Sequence, residues 1–160
     1  MPEGPIRLEA PPHFDPPRLT DLGDGVEVSD PARSSLMSVY WDTPDLRLAR
    51  WGCSVLQVQD QGWVIEVPGS HGTDERHVDN ILIAGHPAEP PAAALDLVRA
   101  YVRNAVLAPV GRMRRVRHAV QVGRGSNGAG ITVLSDEVSV LDGRRVAVRY
   151  RELVLDVGRE

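Results

Sequence analysis

The sequence predicts a β-rich α+β fold built on antiparallel sheet. Three observations carry this. About nine short runs favour extended chain. Most segments joining them are of hairpin length, which antiparallel strands can use and parallel strands cannot. One long and one short stretch have helical character, and no linker divides the chain, so residues 1–160 are expected to form a single domain.

The elements follow in order. Ile6–Leu8 allows a short strand, and Pro11, Pro12, Pro16 and Pro17 keep the next segment extended. Gly23 and Gly25 mark a turn, and Ser35–Tyr40 alternates as a strand does. Thr43-Pro44-Asp45 reads as a helix start, with Thr43 as the cap and Pro44 at the first helical position. Leu46 and Ala49 continue that helix and Gly52 ends it after about two turns. Cys53–Gln59 and Trp63–Val67 form a hairpin around Asp60-Gln61-Gly62. Gly69–Asp74 is a loop, and Val78–Ile83 is a strand closed by Gly85. Pro90 to Leu107 is the long helix, with Leu95, Val98, Val102, Ala105 and Val106 as its apolar stripe and Pro109 as its stop. Arg112–Val122 is a strand, Gly123–Gly130 a flexible turn, and Ile131–Leu134, Val138–Leu141 and Val146–Val157 are the last strands, with Asp142-Gly143 as a hairpin turn.

Composition excludes several classes of function. A net charge of −4 argues against nucleic-acid binding by bulk charge. No run of apolar residues is long enough to cross a membrane. The opening MPEGPIRLEAPP lacks the pattern of a secretory signal, which makes a cytoplasmic location the expectation. Cys53 is alone, so it forms neither an internal disulfide nor a multi-thiolate zinc site, and a small buried thiol is expected. All 18 basic residues are arginine. Without lysine there is no Walker-type phosphate loop and no Schiff-base chemistry. The five histidines lack metal-ligand spacing and are expected on the surface, and Trp41, Trp51 and Trp63 are expected to pack sheet against helices and not to form an adenine-stacking platform. The glycine-rich stretch at 123–128 precedes no helix, so it is a turn and not a nucleotide loop.

Two strands concentrate charge. Along Arg112–Val122, Arg112, Arg114 and His118 share one face and Arg115 and Arg117 the other. Arginines on both faces cannot both be buried without acidic partners, so one face meets solvent and the other can line a polar cavity. In the last strand Glu152, Val154 and Asp156 share one face, and that face must meet water, arginine or metal.

The stretch Tyr40-Trp41-Asp42-Thr43-Pro44-Asp45-Leu46-Arg47-Leu48-Ala49-Arg50 resembles the "YYDTPDLRLAR" signature of the CYTH domain of the triphosphate tunnel metalloenzymes. The resemblance continues through Gly62–Pro68 ("GWHLKLP"), Pro87–Arg103 (the family's helix), Pro109–Arg117 ("PVARLRTRR"), Ser135–Val138 ("DDEV") and Tyr150–Leu153 ("WRELEVEL"). It implies an eight-stranded antiparallel barrel shaped as a tunnel, with one long and one short helix packed outside. Basic side chains in such a tunnel grip a triphosphate, and carboxylates hold Mg²⁺ or Mn²⁺. Members include thiamine triphosphatases, inorganic triphosphatases and class IV adenylate cyclases. On this chain the resemblance assigns phosphate binding to Arg7, Arg76, Arg112, Arg114 and Arg117, and metal binding to Glu3, Asp136, Glu152 and Asp156. It identifies no catalytic residue. In many relatives a helical, histidine-rich domain binds polyphosphate, which makes a separate partner of that kind an expectation.

The chain departs from the pattern at the working positions. The N-terminal "ExExK" becomes Glu3-Gly4-Pro5-Ile6-Arg7. The phosphate-gripping "LRRR" becomes Val55-Leu56-Gln57-Val58, and the lysine of "KLP" becomes Glu66. Asp79 and Asn80 replace acids, Thr132 replaces another, and the terminal "ExExE" keeps Glu152 and Asp156 around Val154. Each charge-assisted phosphate contact is worth roughly 1.5–3 kcal/mol, so three lost cations weaken triphosphate binding on the order of a thousandfold. Two readings follow. In one, the chain is a catalytically impaired CYTH-like protein that binds triphosphate or polyphosphate weakly or serves as a protein-interaction module. Its arginines then pair with Glu66, Asp79, Glu152 and Asp156. In the other, it is a Mg²⁺- or Mn²⁺-dependent hydrolase of inorganic or organic triphosphates.

Overall fold

The computed structural model describes residues 5–17, 19, 22, 23, 25–68, 78–86, 88–123 and 130–157. Glu3, Arg76, His71, His77, the loop at 69–74 and most of the turn at 123–130 lie outside the described residues. The described residues form nine strands and two helices: β1 (Ile6–Ala10), β2 (Glu27–Val28), β3 (Ala32–Asp42), α1 (Arg47–Arg50), β4 (Ser54–Val58), β5 (Gly62–Pro68), β6 (Val78–Ile83), α2 (Ala92–Val102), β7 (Ala108–Gly123), β8 (Ile131–Asp142) and β9 (Arg145–Val157). They make two compact units, residues 36–113 and residues 1–35 with 114–160, and β3 and β7 contribute to both. Neither helix is long and apolar enough to cross a membrane.

In the unit of residues 36–113 the sheet order is β3-β4-β5-β6. Antiparallel register aligns Trp41, Val55, Ile65 and Ile81 in one row across four strands. Paired residues share a face, so this row and its neighbour Trp63 form one apolar surface. Both helices cover it, and Leu48, Cys53, Val55, Trp63, Ile65, Ala94, Val98, Val102 and Leu107 close the core. Trp63 is fully buried and donates its Nε1 hydrogen to the His86 carbonyl at 3.0 Å. Trp41 meets it edge to face with ring centroids 5.6 Å apart. The chain turns beneath Trp63 at Gly85, where a Cβ would lie 3.0 Å from the indole Cδ1 and 3.1 Å from Pro91 Cγ. Cys53 is buried as expected, and burial pushes its thiol pKa up.

The short helix does not begin where the motif predicted. Residues 43–46 form a turn, Leu46 adopts a left-handed conformation with φ 54°, and α1 starts at Arg47. The buried Asp42 carboxylate supplies most of the cap. Its Oδ1 accepts from the backbone N–H of Thr43 (2.6 Å) and Leu48 (2.9 Å), and its Oδ2 from Ala49 (3.0 Å). Thr43 Oγ1 accepts from the Arg47 N–H at 3.0 Å. The first three helical donors are thereby satisfied, which a helix this short cannot do for itself.

The long helix is shorter than predicted. It stops at Arg103, where φ is 57°, well before Pro109. Its buried stripe is Ala94, Val98 and Val102. Ala105 and Val106 fall beyond the helix, and Val106 is 80% exposed. Trp51 also departs from expectation, standing 64% exposed beside Tyr101.

In the unit formed by residues 1–35 and 114–160 the order is β1-β9-β8-β7, with the short β2 paired to β7. The two strands predicted at 131–134 and 138–141 are one continuous β8. Ser135-Asp136-Glu137 resembles a break in sequence, but β9 pairs through it without interruption, and a register shift comes only at Val140/Leu141. Gly143, with φ 59°, turns the hairpin as predicted. Among the described residues of this unit the buried apolar ones are few: Val116, Val138 and Val154. Asp136 and Ser135 are buried beside them in the chain.

Replacing Asp42 with alanine leaves three backbone donors without their acceptor and is expected to cost about 2–3 kcal/mol. Arg99→Ala, which removes the exposed Arg99–Asp96 pair, should change stability by less than about 0.5 kcal/mol. Urea unfolding of the two variants checks this, and equal midpoints would contradict the assigned cap.

Candidate functional site

The charged wall is built by strand register. Across β1–β9 Glu9 faces Glu152 and Arg7 faces Val154. Across β8–β9 Asp136 faces Glu152 and Thr132 faces Asp156. Side chains so paired lie on one face of the sheet. Arg115 and Arg117 of β7 reach the same face, because both contact Asp136. One wall thus carries four carboxylates (Glu9, Asp136, Glu152, Asp156) and three guanidiniums (Arg7, Arg115, Arg117).

Asp136 organises it. The carboxylate is 1% exposed. Arg117 grips it with two parallel bonds, Nε to Oδ1 at 2.8 Å and Nη2 to Oδ2 at 2.7 Å. This is the fork geometry in which arginine binds carboxylate most strongly. The bond to Asp136 raises the Arg117 pKa further, with smaller help from the charges of Asp136 and Glu152. Arg115 is held more loosely. Its Nε lies 3.3 Å from Asp136 Oδ2 as an ion pair, and its Nη2 donates to Glu152 Oε2 at 3.4 Å. The buried Arg115 Nε makes no hydrogen bond among the described residues. Arg115 therefore bridges two acids without saturating either.

Tyr150 stands on the same face, opposite Val138. Burial pushes its phenol above the ordinary value of 10.0, and the negative charge of Glu152 pushes the same way. Arg115 opposes that shift, and Glu9 adds a small increment to it.

The predicted site residues divide. Asp136, Glu152 and Arg117 are brought together. Arg7 and Asp156 are on the same wall by register, and both are exposed. Arg114 alternates to the opposite face of β7 and is exposed, and Arg112 is exposed as well. Of the acids expected to neutralise arginine, Glu152 does so, but the principal partner is Asp136, which the motif assigns to metal. Arg115, Glu9 and Tyr150 were not among the predicted site residues. Arg115 was legible through its alternation with Arg117, and Glu9 through its spacing of two from Arg7.

The described residues do not suit a divalent ion. Magnesium requires several oxygen ligands about one centre. Glu9, Glu152 and Asp136 lie on three neighbouring strands, and no three His, Cys, Asp or Glu side chains among the described residues converge to hold a metal. Both Asp136 oxygens are already occupied by guanidinium.

In the other unit, the positions where the resemblance expects phosphate-binding cations hold Leu56 and Val58, and both are buried. They face Tyr40 and Ser38 across β3–β4, on the side of the sheet away from the helices. Glu66 faces Ser54 and Asn80 on that same side.

No family model matches the chain, and no curated protein matches it. Among solved structures the chain is similar to a Vibrio parahaemolyticus protein provisionally described as an adenylate cyclase, seen by X-ray diffraction at 2.25 Å. The TM-score is 0.42 and the identity 15%, over 98% of this chain and 78% of that one.

Two measurements test the wall. Arg117→Leu strands a buried carboxylate and is expected to cost about 3 kcal/mol, most of it recovered when Asp136→Leu is added. Non-additive unfolding energies in that double-mutant cycle support the pairing; additive ones refute it. Tyr150 and Tyr101 should both ionise later than an ordinary tyrosine in an alkaline titration at 295 nm, and Tyr150→Phe should remove one of the two late steps. Because the folded-state pKa is raised, the stability Tyr150 contributes is full below pH 10.0 and declines as pH rises through the folded value. The Phe variant should flatten that part of the alkaline limb.

Proposed function

We propose that the chain is a CYTH-like protein of the tunnel type that no longer hydrolyses triphosphates and binds them weakly. The observation that carries this reading is the Arg117–Asp136–Arg115–Glu152 network. Hydrolysis in such a tunnel needs carboxylates free for metal and cations free for phosphate. Here the two sets neutralise each other. Four acids against three arginines also leave the wall without the positive potential that concentrates a polyanion. Leu56 and Val58 add no cation in the other unit. The CYTH assignment itself, and the closed tunnel with it, rest on the sequence motifs.

Within the network, Arg115 is the arginine best able to take a phosphate oxygen. Its Nε is buried against Asp136, but its side chain is one-third exposed and its Nη2 makes one long contact, to Glu152 at 3.4 Å. Residual binding is therefore expected to depend on it.

The test is phosphate release from inorganic triphosphate and from ATP with Mg²⁺ or Mn²⁺. No release above the protein-free rate is expected. Calorimetry should give a triphosphate Kd in the millimolar range, weakened about tenfold by Arg115→Ala. Metal-dependent turnover that disappears in Glu152→Ala would overturn the proposal and establish the hydrolase.

A further inference from the structure

The helical layer of the unit of residues 36–113 carries a second feature, made of other residues than the charged wall. A concavity of about 500 Å³ opens beside α1 and α2, lined by Asp45, Arg47, Arg50, Trp51, Tyr101 and Arg103. That volume lies within the range of about 300–1,000 Å³ typical of small-molecule sites.

Its side chains are unequally committed. Arg47 is spent on structure, with Nε on Asp45 at 3.0 Å and Nη1 on the Val102 carbonyl at 3.2 Å. Arg50 contacts the Asp45 backbone carbonyl and lies at the long ion-pair distance of 3.8 Å from its carboxylate, with 65% of its side chain exposed. Arg103 is exposed, and no acid pairs with it among the described residues. The Trp51 ring is backed by Tyr101, with centroids 6.3 Å apart and planes at 48°, and still leaves 64% of the residue in water. An exposed indole beside the unpaired Arg103 and the weakly paired Arg50 fits a ligand with one aromatic face and one anionic end.

The backbone points the same way. Arg103 ends α2 at φ 57° and ψ −116°, its N–H bonded to the Arg99 carbonyl at 2.8 Å. Glycine meets that need without strain. Keeping an arginine there places a guanidinium at the concavity at the expense of stability, a pattern that marks functional positions.

We infer that this concavity binds a nucleoside monophosphate, its base stacked on Trp51 and its phosphate held by Arg103 and Arg50. The half-exposed Asp45 carboxylate can accept from sugar hydroxyls, and its charge disfavours a longer polyphosphate. Stacking of bases on aromatic rings tolerates any base, so the site is expected to discriminate little among nucleobases. This inference is independent of the triphosphate reading.

The intact protein is titrated with AMP, following tryptophan fluorescence and heat. Saturable quenching is expected. Trp51→Ala and Arg103→Gly should each weaken binding about tenfold or more, and adenosine and ribose 5-phosphate should each bind that much more weakly than AMP. Arg103→Gly should also raise the melting temperature by relieving the positive φ, which separates loss of binding from loss of fold. Absence of saturable binding at millimolar AMP, or undiminished binding in Trp51→Ala, would overturn the inference. So would loss of AMP binding in Arg115→Ala, which would place the nucleotide on the charged wall.

Discussion

A carboxylate withdrawn from water has to be paired, and the unit of residues 1–35 and 114–160 is organised around that constraint. Among the described residues the buried apolar neighbours of Asp136 are few, so the network around it takes a structural share that a hydrocarbon core would otherwise hold. An unpaired buried carboxylate costs several kcal/mol, more than a single hydrophobic side chain returns. Arg117 must therefore stay with Asp136, and Arg115 is drawn to the same acid. Once those guanidiniums are committed, the wall cannot also offer them fully to an anion. In the proposed reading, the stability of the unit and a weak hold on phosphate have one cause.

The other unit handles a buried acid in the opposite way. Among the described residues no cation pairs with Asp42; its oxygens take backbone N–H groups from Thr43, Leu48 and Ala49. Charge there is absorbed by oriented amide dipoles, and the acid acts as the start of a helix. Around it a conventional sheet-and-helix core forms on Trp63, Ile65, Val98 and their neighbours. Two aspartates of equal chemistry thus have different roles because one neighbourhood supplies free amides and the other supplies arginines.

The absence of lysine sharpens this contrast. Guanidinium forks onto a carboxylate through two fixed bonds and is less hydrated than ammonium, which suits it to buried pairing. The Arg117–Asp136 geometry uses both properties. A chain whose cations are all arginine is predisposed to self-neutralise where its strands bring acids and bases face to face.

Much of this was determined by local sequence. Strand positions, the hairpins at Asp60–Gly62 and Asp142-Gly143, and the separation of Arg115 and Arg117 from Arg114 follow from turn chemistry and the period of two, which act over a few residues. Tertiary structure decided the partners. Arg117 meets an acid 19 residues away and Arg115 one that is 37 away, and those distances are spanned by the register of β7, β8 and β9. Register also turned Ser135-Asp136-Glu137 from an apparent break into continuous strand. At α1 the motif indicated a helix start, but which oxygens cap it depended on the end of β3 lying against the first helical turn. Charges are written locally in the chain; whether they serve a ligand or one another is settled only when non-local pairing brings them within reach and removes their water.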